Sequence, residues 1–135
     1  MCQCIYLSSE KELPEINWNE NAPGFYLMKE TDEGILKMIQ PLLKYKNIYS
    51  ALSFMGCACG LNYSDWTKND NHELRKLDVK NFISFLNHHK TDNNLELFST
   101  SWDEFPDEYE KGIFTLNELN KEEFEIQELI VLSVK

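Results

Sequence analysis

Apolar and polar positions alternate in short stretches along most of this chain, and helical spacing takes over in only two places. Cys4-Ile5-Tyr6-Leu7-Ser8 is the first strand candidate, ended by the polar Ser9-Glu10-Lys11. A loop carrying Pro14, Trp18 and Pro23 follows, and residues 24–28 read as a second short strand. Between 32 and 44, Ile35, Leu36, Met38, Ile39, Leu42 and Leu43 recur at helical spacing, with Asp32 as N-cap and Pro41 ending the helix.

Over 47–54 the alternation is strict. Ile48, Ser50, Leu52 and Phe54 fall on one side and Tyr49, Ala51 and Ser53 on the other. This predicted strand runs directly into Met55-Gly56-Cys57-Ala58-Cys59-Gly60. Residues 62–71 read as a polar loop, with Trp66 turned back onto the core. Asp78 reads as the cap of a second helix carrying Val79, Phe82, Ile83 and Leu86 on one face. His88, His89 and Lys90 fall in its last turn, where positive charge complements the helix dipole. A strand over 95–102, an acidic loop over 103–110 and a short strand near 113–115 come next. A capping box at Thr115–Glu118 opens a short helix, and a final strand covers 125–134. The order β-β-α-β-α-β-β-α-β predicts one α+β domain over residues 1–135, with a mixed or mostly antiparallel sheet and two to three helices.

Composition supports a packed core, since 42% of the 135 residues are hydrophobic and 13% aromatic. No apolar run approaches the roughly 20 residues of a membrane span, and the first residues lack the basic and apolar regions of a signal peptide. The expectation is a cytoplasmic domain. The net charge of −10 is unevenly placed. Residues 1–90 hold ten basic and eleven acidic side chains, whereas residues 91–135 hold three and twelve. Such a surface repels phosphate, which argues against nucleic acid and anionic membranes as partners. It attracts a basic protein.

Asp103, Glu104, Asp107, Glu108 and Glu110 are the acidic side chains for that contact, with Trp102 as an apolar anchor and Glu122, Glu123 and Glu125 adding charge. They lack the alternating order of a calcium loop. One reading is therefore a small inhibitor or immunity-type protein that binds a basic partner; the plainer one is a solvated acidic face that favours solubility.

The cysteines carry the more specific chemistry. All four fall in two identical spacings, Cys2-Gln3-Cys4 and Cys57-Ala58-Cys59. Residues i and i+2 of a strand share a face, so each pair can present two sulfurs side by side. A sheet can bring the start of the first strand to the end of the third, and Gly56 and Gly60 let the second pair bend. Four thiolates suit a structural zinc ion, although zinc pairs are usually spaced by two or more residues. Copper(I) or an iron–sulfur cluster uses the same donors. The alternatives are a disulfide between the pairs, a thiol redox pair, or four small residues packed at a sheet edge. No Lys, Arg or His adjoins either pair in sequence to lower a thiol pKa. With no phosphate-binding loop, dinucleotide glycine set, nucleophile elbow or H-E-x-x-H, a non-enzymatic protein is the leading expectation.

The opening C-x-C-I-Y-L-S-S, the segment S-F-M-G-C-A-C-G and the late L-E-L-F-S-T-S-W-D-E-F-P resemble a family of small uncharacterised bacterial proteins. Those pair an N-terminal CxC with an internal G-C-x-C-G turn and a later strand ending in Trp and acidic residues. The resemblance covers nearly the whole chain and implies that Cys2, Cys4, Cys57, Cys59 and Trp102 fall on the family's pattern. It implies no particular activity.

Overall fold

Alternation fails in the central strands. In the computed structural model, which describes residues 3–64, 71–101, 109–116 and 123–135, strand β1 (Gln3–Ser9) buries every side chain from Ile5 to Ser9. Both faces of the sheet are covered there, so neither set of positions has to be polar. β1 is flanked antiparallel by β3 (Asn47–Leu52) and β4 (Leu95–Ser101). β2 (Tyr26–Lys29) lies outside β3, β6 (Ile130–Val134) outside β4, and β5 (Glu110–Phe114) outside β6. The six-stranded order is β2-β3-β1-β4-β6-β5, antiparallel throughout except for the β5–β6 pair. With helices α1 (Glu33–Ile39) and α2 (His72–His89), the fold is the α+β class that the pattern predicts, and its sheet is mixed and mostly antiparallel.

Each helix seals one face. Ile5, Leu7, Leu27, Ala51 and Leu97 pack with Val79, Phe82, Ile83 and Leu86 of α2. Tyr6, Ile48, Phe98 and Val131 pack with Ile39 of α1 and with Leu42 and Leu43 just beyond it. Each such aliphatic or aromatic side chain contributes about 1.5–3 kcal/mol by leaving water. Asp32 caps α1 as expected, its carboxylate accepting from Gly34 N at 2.9 Å and Ile35 N at 3.2 Å. No helix among the described residues is long and apolar enough to cross a membrane.

The strand expected over 47–54 ends at Leu52, and three further boundaries differ from the sequence pattern for physical reasons. α2 begins at His72, so Asp78 lies inside the helix and does not cap it. Its carboxylate instead reaches across to two backbone donors, Phe25 N at 3.1 Å and Phe54 N at 2.7 Å. The last strand begins at Ile130 and not at 125, because Leu129 takes a left-handed φ of 60° that breaks extended geometry. The strand expected near 113–115 starts at Glu110, which places that residue on β5 and not in a loop. Trp66 and most of the short helix opened by Thr115–Glu118 lie outside the described residues.

Antiparallel pairing then fixes where the cysteines go. The β1–β3 ladder runs from Ser9↔Asn47 to Ile5↔Ala51, so the start of β1 lies beside the chain leaving β3.

Candidate functional site

Past the end of β3 the chain folds back on a single hydroxyl. Ser53 is fully buried, and its Oγ donates to the Cys57 carbonyl at 2.6 Å. The same oxygen accepts from Met55 N at 3.2 Å and Gly60 N at 3.1 Å. Ser53 N also donates to the Cys57 carbonyl, at 2.8 Å, and Gly56 N to the Ser53 carbonyl, at 3.0 Å. The two glycines do different jobs in this loop. Gly56 has φ of +79°, which a side chain disfavours. Gly60 is needed for closeness: a Cβ there would lie 2.7 Å from the Cβ of Ser53.

This loop lies against the start of β1, where Gln3 and Cys4 of the first CxC segment are described. Gln3 lies two residues beyond the last β1–β3 pair, and its N–H donates to the Cys59 sulfur at 3.2 Å. The backbone of the first CxC pair is thus hydrogen-bonded to a sulfur of the second. Cys4 and Cys57 line one pocket of about 100 Å³, walled in part by Ile5, Ala51, Leu52 and Ala58. Cys2 lies outside the described residues. Among the described residues, no group of three or more His, Cys, Asp and Glu side chains is placed to hold a metal ion.

The surroundings were not legible from the motifs. Arg75 of α2 is 4% exposed and lies against the loop. Its guanidinium donates to the Cys59 carbonyl at 2.6 Å, to Asn62 Oδ1 at 2.9 Å and to the Met55 sulfur at 3.6 Å. Asn62 Nδ2 donates to Gln3 Oε1 at 3.1 Å, and Gln3 Nε2 donates to Ser99 Oγ at 2.8 Å. One polar chain therefore ties α2, the cysteine loop, β1 and β4 together. A cation does stand beside the second pair, although none adjoins it in sequence. The one signal was that the chain has a single arginine against twelve lysines. A planar fork suits a buried site with several acceptors better than an ammonium does.

Burial raises the Asp78 carboxyl above its ordinary value, and the N–H groups of Phe54 and Phe25 pull it partly back. Burial also raises the Tyr26 phenol, with a smaller push in the same direction from negative charge at Cys57. Tyr26 donates a long hydrogen bond of 3.4 Å to the Gly56 carbonyl. The histidines stand apart from this site. His88 and His89 are in the last turn of α2 as expected, and burial lowers the His89 pKa. His72 opens α2 with its ring against Tyr63, at 5.7 Å between centroids.

Of the acidic contact residues, Trp102, Asp103, Glu104, Asp107 and Glu108 lie outside the described residues. Glu110 lines a recess of about 500 Å³ with Tyr109, Glu128, Leu129 and Ile130. Comparison with protein-family models, with curated proteins and with solved structures found no match, and so has no bearing on the resemblance drawn from the cysteine motifs.

Proposed function

We propose that the two CxC pairs form one thiolate site for a soft metal ion, zinc in the first instance, within a non-enzymatic cytoplasmic domain. Cys2, Cys4, Cys57 and Cys59 are the ligands in this reading. The observation that supports it is the approach of the two segments: Gln3 N–H meets the Cys59 sulfur, and Cys4 and Cys57 line one pocket. Zinc takes four sulfurs at about 2.3 Å, so this reading requires Cys2. Metal bound only by the folded chain adds its binding energy to stability. Cys57→Ser should then lose the metal and melt well below the wild type. Equal melting of the two proteins, with no metal in either, would refute the proposal.

A second reading draws on the recess at Glu110. Two carboxylates, Glu110 and Glu128, over the apolar Leu129 and Ile130, suit the basic side chain of a protein partner. This is the inhibitor or immunity-type role, and it is compatible with a metal that only builds the fold. The double reversal Glu110→Lys with Glu128→Lys should abolish partner recovery in a pull-down. Undiminished recovery would count against it.

A further inference from the structure

The backbone changes conformation within the second cysteine pair. In a strand, residues i and i+2 share a face, but Cys57 is extended (φ −142°, ψ 178°) and Ala58–Gly60 is a 3-10 turn. Such a turn advances about 120° per residue, so the two side chains leave the backbone in different directions. Cys57 lines the pocket of about 100 Å³ with Cys4. Cys59 lines a recess of about 330 Å³ with Asn62, Arg75, Glu125 and Glu128, and Gln3 borders both spaces. The Cys59 sulfur takes the Gln3 N–H, and the Cys59 carbonyl takes the Arg75 guanidinium.

The Cys4–Cys57 pocket has an equally distinct chemistry. Ile5, Ala51, Leu52 and Ala58 supply aliphatic wall, and among the described residues no imidazole or carboxylate lines it. Its volume suits an ion and not a metabolite, since ligand pockets generally begin near 300 Å³.

We propose that Cys4 and Cys57 form a two-coordinate thiolate site for monovalent copper. This rests on the metal-binding reading above and narrows it to one ion and two of the four sulfurs. Thiolates are soft donors that select Cu(I), and its filled d shell accepts two ligands without strain. Zinc prefers four ligands, and Cu(II) prefers imidazole and carboxylate donors, whereas the polar side chains beside the two cysteines here are the neutral Gln3, Tyr6 and Ser50. Binding releases one proton from each thiol and forms two Cu–S bonds, with no change in the oxidation state of copper or sulfur. Cu(I) affinity therefore rises with pH until both thiols are ionised. Cys59 acts here as a strut, fixing the loop through Gln3 and Arg75.

The test loads the reduced full chain anaerobically with Cu(I) or Zn(II), each against a chromogenic chelator of that ion. The loaded protein is then alkylated with iodoacetamide and mapped by mass spectrometry. One Cu(I) should be retained per chain, with Cys4 and Cys57 protected and Cys59 alkylated as fast as in the metal-free protein. Cys57→Ser should lower Cu(I) affinity by roughly 100-fold or more. Zinc retained over copper, with all four cysteines protected, would overturn the two-sulfur copper site and leave the metal-binding reading standing. Retention of neither ion would overturn both. The wild-type alkylation pattern decides the matter even if the serine variant fails to fold.

Discussion

The Ser53 hydroxyl touches three backbone groups at once, at Cys57, Met55 and Gly60, and no neighbour can replace it because the site is fully buried. Ser53→Ala leaves two N–H donors short of an acceptor and should lower stability by about 1–3 kcal/mol in urea unfolding. Alkylation of Cys57 and Cys59 should quicken in the same variant. Unchanged unfolding and thiol reactivity would show that the loop is held by something else. Asp78 supports the loop from the other side, through Phe54 N. Its folded pKa is raised above the ordinary 3.8, so the folded state binds a proton more readily than the unfolded one. The stability tied to this ionisation is therefore highest in acid and falls as pH rises from about the ordinary value to the raised one. Asp78→Asn cannot ionise. The stability of the wild type minus that of the variant should fall across this window and then level off, and a rising difference would contradict the assignment. The cysteine spacing was legible in the chain because two matching pairs are conspicuous. Ser53, Asp78 and Arg75 were not, because a polar side chain buried by tertiary contact looks the same in sequence as one in solvent.

Helix α2 shows the same difficulty at the scale of an element. Its last three turns bury Val79, Phe82, Ile83 and Leu86 and were readable from their spacing. In its first turns the buried side chains are Arg75 and Asp78, while Leu74 and Leu77 are 43% and 52% exposed. The apolar period is thus inverted where the helix meets the cysteine loop, and the pattern there pointed to a loop and a late start. Helix α1 lacks this inversion, and its cap at Asp32 was read correctly. The inverted segment should couple the helix to the sulfurs. Arg75→Lys keeps the charge but cannot reach the Cys59 carbonyl, Asn62 and Met55 as a fork. It should lower the melting temperature and expose Cys59 to faster alkylation, with the helix otherwise retained by circular dichroism. If Cys59 reactivity does not change, α2 does not hold the loop. The final strand was overextended for a different reason: Leu129 at a φ of 60° is a tertiary choice that an apolar run such as Leu129-Ile130-Val131-Leu132 conceals.

For the whole molecule, the sheet order matters more than any single pair. Placing β1 between β3 and β4 sets the first cysteine pair beside the turn after β3, about 50 residues away along the chain. Both sheet faces are covered by helices, so the open chemistry lies at the ends of strands and in the loops that join them. Of the described acidic side chains after residue 90, Glu96 is on β4, Glu110 is on β5 and β6 carries none, while Glu125 and Glu128 line one recess with Cys59. The cysteine loop and the acidic side chains therefore meet at that recess. The central claim is that the two cysteine pairs form a single metal-binding site. Native mass spectrometry of protein purified under reducing, anaerobic conditions, run beside the same sample denatured in acid, addresses it most directly. The account predicts a native mass heavier by one soft metal ion, lost on denaturation. A native mass equal to the bare chain, with all four thiols open to alkylation, would contradict it.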